Sequence, residues 1–138
     1  MRDGSARGIY SQAMTDATYQ AMHERAQHVL GSGRTAILDA THSTRGLRER
    51  ARAWAETLGL EPWLLEVSCS DALARERLAA RRARDDDPSD AGPELQAVSA
   101  NGYEPPREWP AERHFRVNSE EPAWERQLEP LAERIAAR

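Results

Sequence analysis

Arg34-Thr35-Ala36-Ile37-Leu38-Asp39-Ala40-Thr41-His42-Ser43-Thr44 is the stretch on which the reading of this chain turns. A short apolar run ends in a carboxylate and a hydroxyl. It is entered from the Gly31-Ser32-Gly33 break and left through a polar loop. The run is too short and too continuously apolar for a half-exposed helix, so it predicts a buried strand over about residues 35 to 40. In an α/β domain ligands bind at the carboxyl end of such a strand, because loops and helix N-termini converge there. Asp39 and Thr41 are therefore the first candidates for chemistry.

Upstream, residues 1 to 14 show no period and read as irregular. Thr15 is placed to cap a helix, with Tyr19, Met22, Ala26, Val29 and Leu30 at helical spacing until Gly31 and Gly33 stop it. Downstream, Thr44 caps a second helix whose inner face carries Leu47, Ala51, Trp54, Ala55 and Leu58, and Gly59 closes it. Trp63 to Val67 predicts a second strand. Two strands joined by one helix form a right-handed crossover and hence part of a parallel sheet.

Ser70 or Asp71 then opens an arginine-loaded helix with Arg75, Arg77, Arg81, Arg82 and Arg84, ended by Asp85-Asp86-Asp87-Pro88. A brief helix is expected at Glu94 to Ala100, and Pro105, Pro106 and Pro110 keep the next stretch irregular. His114 to Val117 predicts a third strand. Ser119 is placed to cap a last helix with Trp124, Leu128, Leu131 and Ile135 on one face, kinked or broken at Pro130.

A chain of 138 residues makes one ordinary domain that buries roughly two thirds of its unfolded surface. Alanine supplies much of the 39% apolar content, so bulky core formers are few and stability is expected to be modest. The net charge of −4 gives no general attraction to nucleic acid or anionic lipid; any anion site must be local. The single cysteine, Cys69, excludes an internal disulfide. No apolar run approaches 18 residues and no signal-peptide pattern follows Met1, so a soluble, cytoplasmic protein is expected.

Two readings of Asp39 stand side by side. A strand-end carboxylate can hold magnesium, directly or through water, with the Thr41 hydroxyl beside it, or it can cap the following loop. Arg77 and Arg81 lie one helical turn apart, where two guanidinium forks can grip a phosphate, or they can balance Glu76 and the later aspartates at the surface. His23, His28, His42 and His114 lack metal-ligand spacing, so zinc is not expected. Neither a Gly-x-Ser-x-Gly elbow nor a dinucleotide glycine fingerprint occurs.

In order, Gly8-Ile9-Tyr10-Ser11, the helix with Tyr19, the Gly31-x-Gly33 turn, Ile37-Leu38-Asp39-Ala40-Thr41, Arg77-Leu78-x-x-Arg81, Ser89-Asp90-Ala91, Gln96 and Tyr103-Glu104-Pro105-Pro106 resemble the AAA-type ATP-binding, zeta-toxin and polynucleotide-kinase-like P-loop kinases. This group also occurs fused to aminoglycoside-phosphotransferase-like domains. The resemblance implies an α/β fold of P-loop NTPase type: a three-layer, open, mainly parallel sheet flanked by helices. Residues 1 to 138 would form one partial kinase-like domain with an arginine-rich lid helix and loop at about 70 to 93. It implies ATP and Mg as cofactors and transfer of the γ-phosphate to a hydroxyl acceptor. Asp39 would be the carboxylate near the magnesium, Thr41 a nucleotide contact, and Arg77 and Arg81 lid arginines on the phosphates.

The family's phosphate loop, Gly-x-x-Gly-x-Gly-Lys-Ser/Thr, is not found in these residues; Gly31-Ser32-Gly33-Arg34 has no lysine and runs into a strand. The chain is thus expected to be missing the first strands of the fold and to be inactive alone. In the family the strand leading to that loop lies between the strand ending at Asp39 and the one at 63 to 67. The expected partner is a chain or upstream segment that supplies the loop, and nucleic acid enters only as a substrate end. Two rivals have distinct signatures: a non-catalytic binding module, indifferent to ATP, and one half of a split kinase, active only when mixed with its other half.

Overall fold

The computed structural model describes residues 12–83 and 102–137. The brief helix expected at Glu94 to Ala100 and the acidic stop at 85–87 lie outside them. The chain divides into two compact units, Met1–His42 and Ser43–Arg138.

In the first unit α1 spans Gln12–Gly31, starting before Thr15. Tyr19, His23 and Ala26 are its buried residues, a narrower stripe than the periodicity suggests, since Val29 is 39% exposed. Gly33 ends the turn after the helix at φ +75°, a conformation glycine adopts without Cβ strain. Residues 35–40, where a buried strand is expected, belong to no ladder, and Ile37 is 89% exposed. This corrects the sequence reading. A strand needs a neighbour for its N–H and C=O groups, and among the described residues Thr35–Asp39 makes no backbone hydrogen bond.

The second unit opens with α2, Arg45–Thr57. Thr44 caps it as expected, its side chain accepting from Leu47 N. A second donor at this end is covered from far along the chain, because Glu104 Oε2 accepts from Arg45 N at 2.6 Å and Glu104 N donates to Ser43 O at 2.8 Å. A carboxylate against helix N–H groups also complements the helix dipole. Gly59 follows the helix at φ +69°.

Strand β1, Leu64–Ser68, pairs in parallel with β2, His114–Asn118, in the register Leu64↔His114 through Ser68↔Asn118. This two-stranded sheet is the one ladder among the described residues, smaller than the three-layer sheet that the resemblance implies. Val117 on β2 is the most deeply buried large side chain, 1% exposed. Between the strands lies α3, Asp71–Ala83, with Ser70 Oγ accepting from Leu73 N as its cap.

Ser119 does not cap a helix. The chain instead turns through Ala123, at φ 55°, into a short 3-10 segment Trp124–Leu128. Helix α4, Glu129–Ala136, follows with Pro130 in its first turn. Proline fits there because the N–H it lacks has no intrahelical partner, so the expected break falls just ahead of Pro130. Arg134 of α4 lies over the Trp63 and Phe115 rings at 5.8 and 5.4 Å and donates to Glu112 O. These contacts fix α4 against the amino ends of both strands.

The heart of the second unit is an ion pair. Arg48 of α2 donates side-on to Glu108, Nε to Oε1 at 2.6 Å and Nη2 to Oε2 at 3.3 Å. The two side chains are only 2% and 9% exposed. Arg52 adds a bond to the Glu108 carbonyl at 3.2 Å and lies over the buried Trp109 ring. Removing one partner of such a pair strands the other charge. Arg48→Ala is expected to lower unfolding free energy by about 3 kcal/mol, whereas Arg48→Met with Glu108→Leu recovers most of it. Urea unfolding followed by circular dichroism measures both.

Candidate functional site

The residues singled out by sequence fall into two local arrangements, one in each unit. In the first, the turn that carries Asp39 and Thr41 is held by the phenol of Tyr19. His42 N donates to Tyr19 Oη at 3.0 Å, and Thr41 Oγ1 lies 3.5 Å from the same oxygen. The Tyr19 and His42 rings meet edge to face, centroids 5.0 Å apart at 88°. His42 takes φ 39°, left-handed backbone that few non-glycine residues adopt. The Tyr19 contacts compensate for that conformation, and the turn leaves both the Asp39 carboxylate and the Thr41 side chain exposed.

Sequence reasoning placed Tyr19 on the inner face of a helix and missed its part in this turn. Its spacing from His42 offered no signal, since the contact joins residues 23 apart.

One carboxylate and one hydroxyl suit magnesium, which commonly keeps several waters and shares its ligands with substrate phosphates. They do not suit a metal held wholly by protein. No group of three or more His, Cys, Asp or Glu side chains among the described residues is arranged to hold a metal.

The second arrangement sits at the carboxyl ends of the parallel strands. Ser119 directly follows β2 and is buried. Its N and Oγ donate to Ser68 O at 2.8 and 3.1 Å, joining the ends of β1 and β2. Arg77 on α3 then donates Nη1 to Ser119 Oγ and Nη2 to Ser119 O, both at 2.8 Å. Arg77 therefore ties the arginine helix to the strand ends. Arg81, one turn on, is exposed. Ser70 Oγ donates to Glu120 Oε1 at 2.5 Å, closing the other side of the same rim.

A third cluster was not anticipated. Glu66 on β1 takes Nε2–H of His114 at 2.9 Å and Nε–H of Arg116 at 3.1 Å on one oxygen, and the hydroxyl of Tyr103 on the other. Glu66 and Arg116 are register partners, and His114 lies two residues back on the same face. Alternation along a strand places Glu66, His114 and Arg116 together once the parallel register is known, but sequence alone does not give that register.

Burial pushes the Glu66 carboxyl up, yet the hydrogen bonds from Tyr103, Arg116 and His114 outweigh it and hold it below the ordinary carboxylate range. Glu108 is held low in the same way, chiefly by the hydrogen bond from Arg48. Their stabilisation is present above the ordinary carboxylate pKa and is lost as acid takes the pH down through the lower folded values.

The Asp39 turn lies in the first unit, and in the second the helix bearing Arg77 and Arg81 is tied by Ser119 to the carboxyl ends of the parallel strands. The sequence profile of the AAA domain family matches residues 1–106, and the chain belongs to that family. Its fold is the P-loop kinase-like α/β type. No curated protein and no solved structure matches the chain. No helix among the described residues is long and apolar enough to cross a membrane.

Tyr103 offers a direct optical check on the Glu66 cluster. Burial first, then the hydrogen bond and charge of Glu66, push its phenol up to about 12. The raised value means that this tyrosine favours the fold below the ordinary phenol pKa, a contribution lost as pH rises through about 12. Ultraviolet titration of the chain minus that of Tyr103→Phe should show one phenolate forming near pH 12. Glu66→Gln should lower it part of the way toward its ordinary value of 10.0, since the effect of burial remains.

Proposed function

We propose that the chain is the ATP-binding, kinase-like part of a phosphotransferase that moves the γ-phosphate of ATP to a hydroxyl acceptor. The observation that carries this reading is the family match over residues 1–106, which includes the Asp39 turn and the arginine helix. Asp39 would hold magnesium, directly or through water, with the Thr41 hydroxyl beside the nucleotide. Arg81, and Arg77 on leaving Ser119, would face the phosphates and stabilise charge on the transferring group. Bound magnesium would supply charge neutralisation; the protein's own part is position, with Tyr19 fixing the turn and Ser119 fixing the helix.

The 138 residues contain no Gly-x-x-Gly-x-Gly-Lys-Ser/Thr. Phosphoryl transfer depends almost wholly on positioning and electrostatics, so the reading includes little or no turnover by these residues alone. It also includes a segment or separate chain that brings the phosphate loop, as in a split kinase. A cytoplasmic site of action fits a protein that draws on ATP.

Calorimetric titration with ATP and magnesium tests the proposal. Binding should be measurable, magnesium-dependent and about tenfold weaker in Asp39→Ala or Arg81→Ala, the loss of roughly 1.4 kcal/mol. ATP hydrolysis should rise only when a phosphate-loop chain is added. A chain that takes up no nucleotide, and is equally indifferent to both substitutions, is a non-catalytic binding module.

A further inference from the structure

Tyr19 is buried on α1, and the hydrogen bonds at its phenol oxygen have a fixed direction. His42 N is a backbone donor, so its hydrogen goes to Tyr19 Oη, at 3.0 Å. The phenol's own hydrogen must then go elsewhere. Among the described residues the acceptor within its reach is Thr41 Oγ1, at 3.5 Å, a long contact of the kind that tightens when a site fills. The hydrogens therefore run one way, from His42 N to Tyr19 and from Tyr19 to Thr41.

A hydroxyl donates one hydrogen and accepts at two lone pairs. With one lone pair of Thr41 Oγ1 turned to the phenol, its own hydrogen is aimed away from Tyr19. Thr41 is exposed, and that hydrogen has no acceptor among the described residues. Hydrogen bonds in a row polarise one another, which strengthens the last donor.

The backbone points to the same place. His42 holds φ 39°, and left-handed backbone at a non-glycine residue persists where its surroundings over-determine it, commonly beside ligands. Here the surroundings are Tyr19 twice over, through the bond from His42 N and the edge-to-face ring contact at 5.0 Å.

We propose that Tyr19 is a positioning residue that sets the direction of the Thr41 hydroxyl, so that Thr41 donates outward to an oxygen of a bound phosphate group. This rests on the kinase-like reading of the Asp39 turn. A charged acceptor makes that bond one of the stronger kind. Without the phenol the hydroxyl rotor shares its hydrogen among several directions, and the ligand has to fix it on binding.

Calorimetric titration of the whole chain with ATP and magnesium, run as a double-mutant cycle, tests this. Thr41→Val removes the donor and should weaken binding about tenfold, whereas Thr41→Ser should stay within about twofold of the parent. Tyr19→Phe keeps the ring against His42 and should cost about fivefold. Placed on Thr41→Val, Tyr19→Phe should cost nothing further, because it acts through Thr41. A tyrosine that merely braces the turn would weaken binding equally in both backgrounds, since Asp39 lies on the same turn, and that result overturns the proposal. So does a Tyr19→Phe or Thr41→Val chain that binds like the parent while Asp39→Ala is weakened; the kinase-like reading survives either result. A parent that takes up no ATP removes that reading and the proposal together. Inorganic triphosphate without magnesium, followed by nuclear magnetic resonance, should also bind more weakly to Thr41→Val. No difference there would make Thr41 a magnesium ligand and overturns the proposal. Thermal melts by circular dichroism establish that each variant is folded. Should Tyr19→Phe fail to fold, Thr41→Val against Thr41→Ser, with the phenol in place, still decides whether Thr41 donates.

Discussion

A guanidinium with 2% of its side chain exposed has no stable existence in a protein interior without a charged, hydrogen-bonded partner. Arg48 therefore dictates where Glu108 must be, and Glu108 dictates the course of the chain around it. The stretch from Tyr103 to Trp109 has no helix or strand of its own, yet it is held at three separate points of the second unit. Tyr103 bonds to Glu66 on β1, Glu104 to the start of α2, and Glu108 to the middle of α2. The prolines between these anchors limit the conformations the stretch can adopt when unfolded. A stretch that looks like a connector is thus the element that binds helix α2 to the sheet.

This economy suits a chain with few large apolar residues. Among the described residues the buried apolar side chains include Tyr19, Ala26, Ala55, Trp109 and Val117, two of these five being alanines. Polar contacts with defined geometry take over part of what packing does in a larger core: the side-on Arg48–Glu108 pair, the Glu66 cluster, and Arg134 over Trp63 and Phe115. Such contacts specify register more sharply than apolar area does, because a slip of one residue between β1 and β2 would separate Glu66 from Arg116 and turn them to opposite faces.

Much of the second unit was legible in sequence because its signals are local. Thr44 and Ser70 are helix caps read from one side chain and the residues after it, and the strands at 64–68 and 114–118 were found within a residue. The errors share a cause of the opposite kind. Residues 35–40 have the composition of a buried strand, but a strand is defined by its neighbour, which composition does not report. Ser119 has the chemistry of a cap, but its hydroxyl serves Arg77 and Ser68 instead. Tyr19, Tyr103 and Glu66 acquire their roles from residues 22 to 50 positions away. Of the candidate site, the Asp39 turn and the arginine helix were legible as residues; the groups that hold them were not.

Arg77 is tied into the second unit by contacts that its helical spacing does not reveal. Both terminal nitrogens of Arg77 are committed to Ser119. Hydrogen bonds from a charged donor contribute about 1.5 to 3 kcal/mol each, so a phosphate that recruits Arg77 must offer contacts at least as good as those it breaks. Breaking them would also release α3 from the ends of β1 and β2, since Ser119 is the residue that joins those ends. Recruiting Arg77 to an anion therefore competes with the Ser119 contacts that hold α3 in place. Arg77 joins in only where the anion's charge and geometry exceed what Ser119 provides.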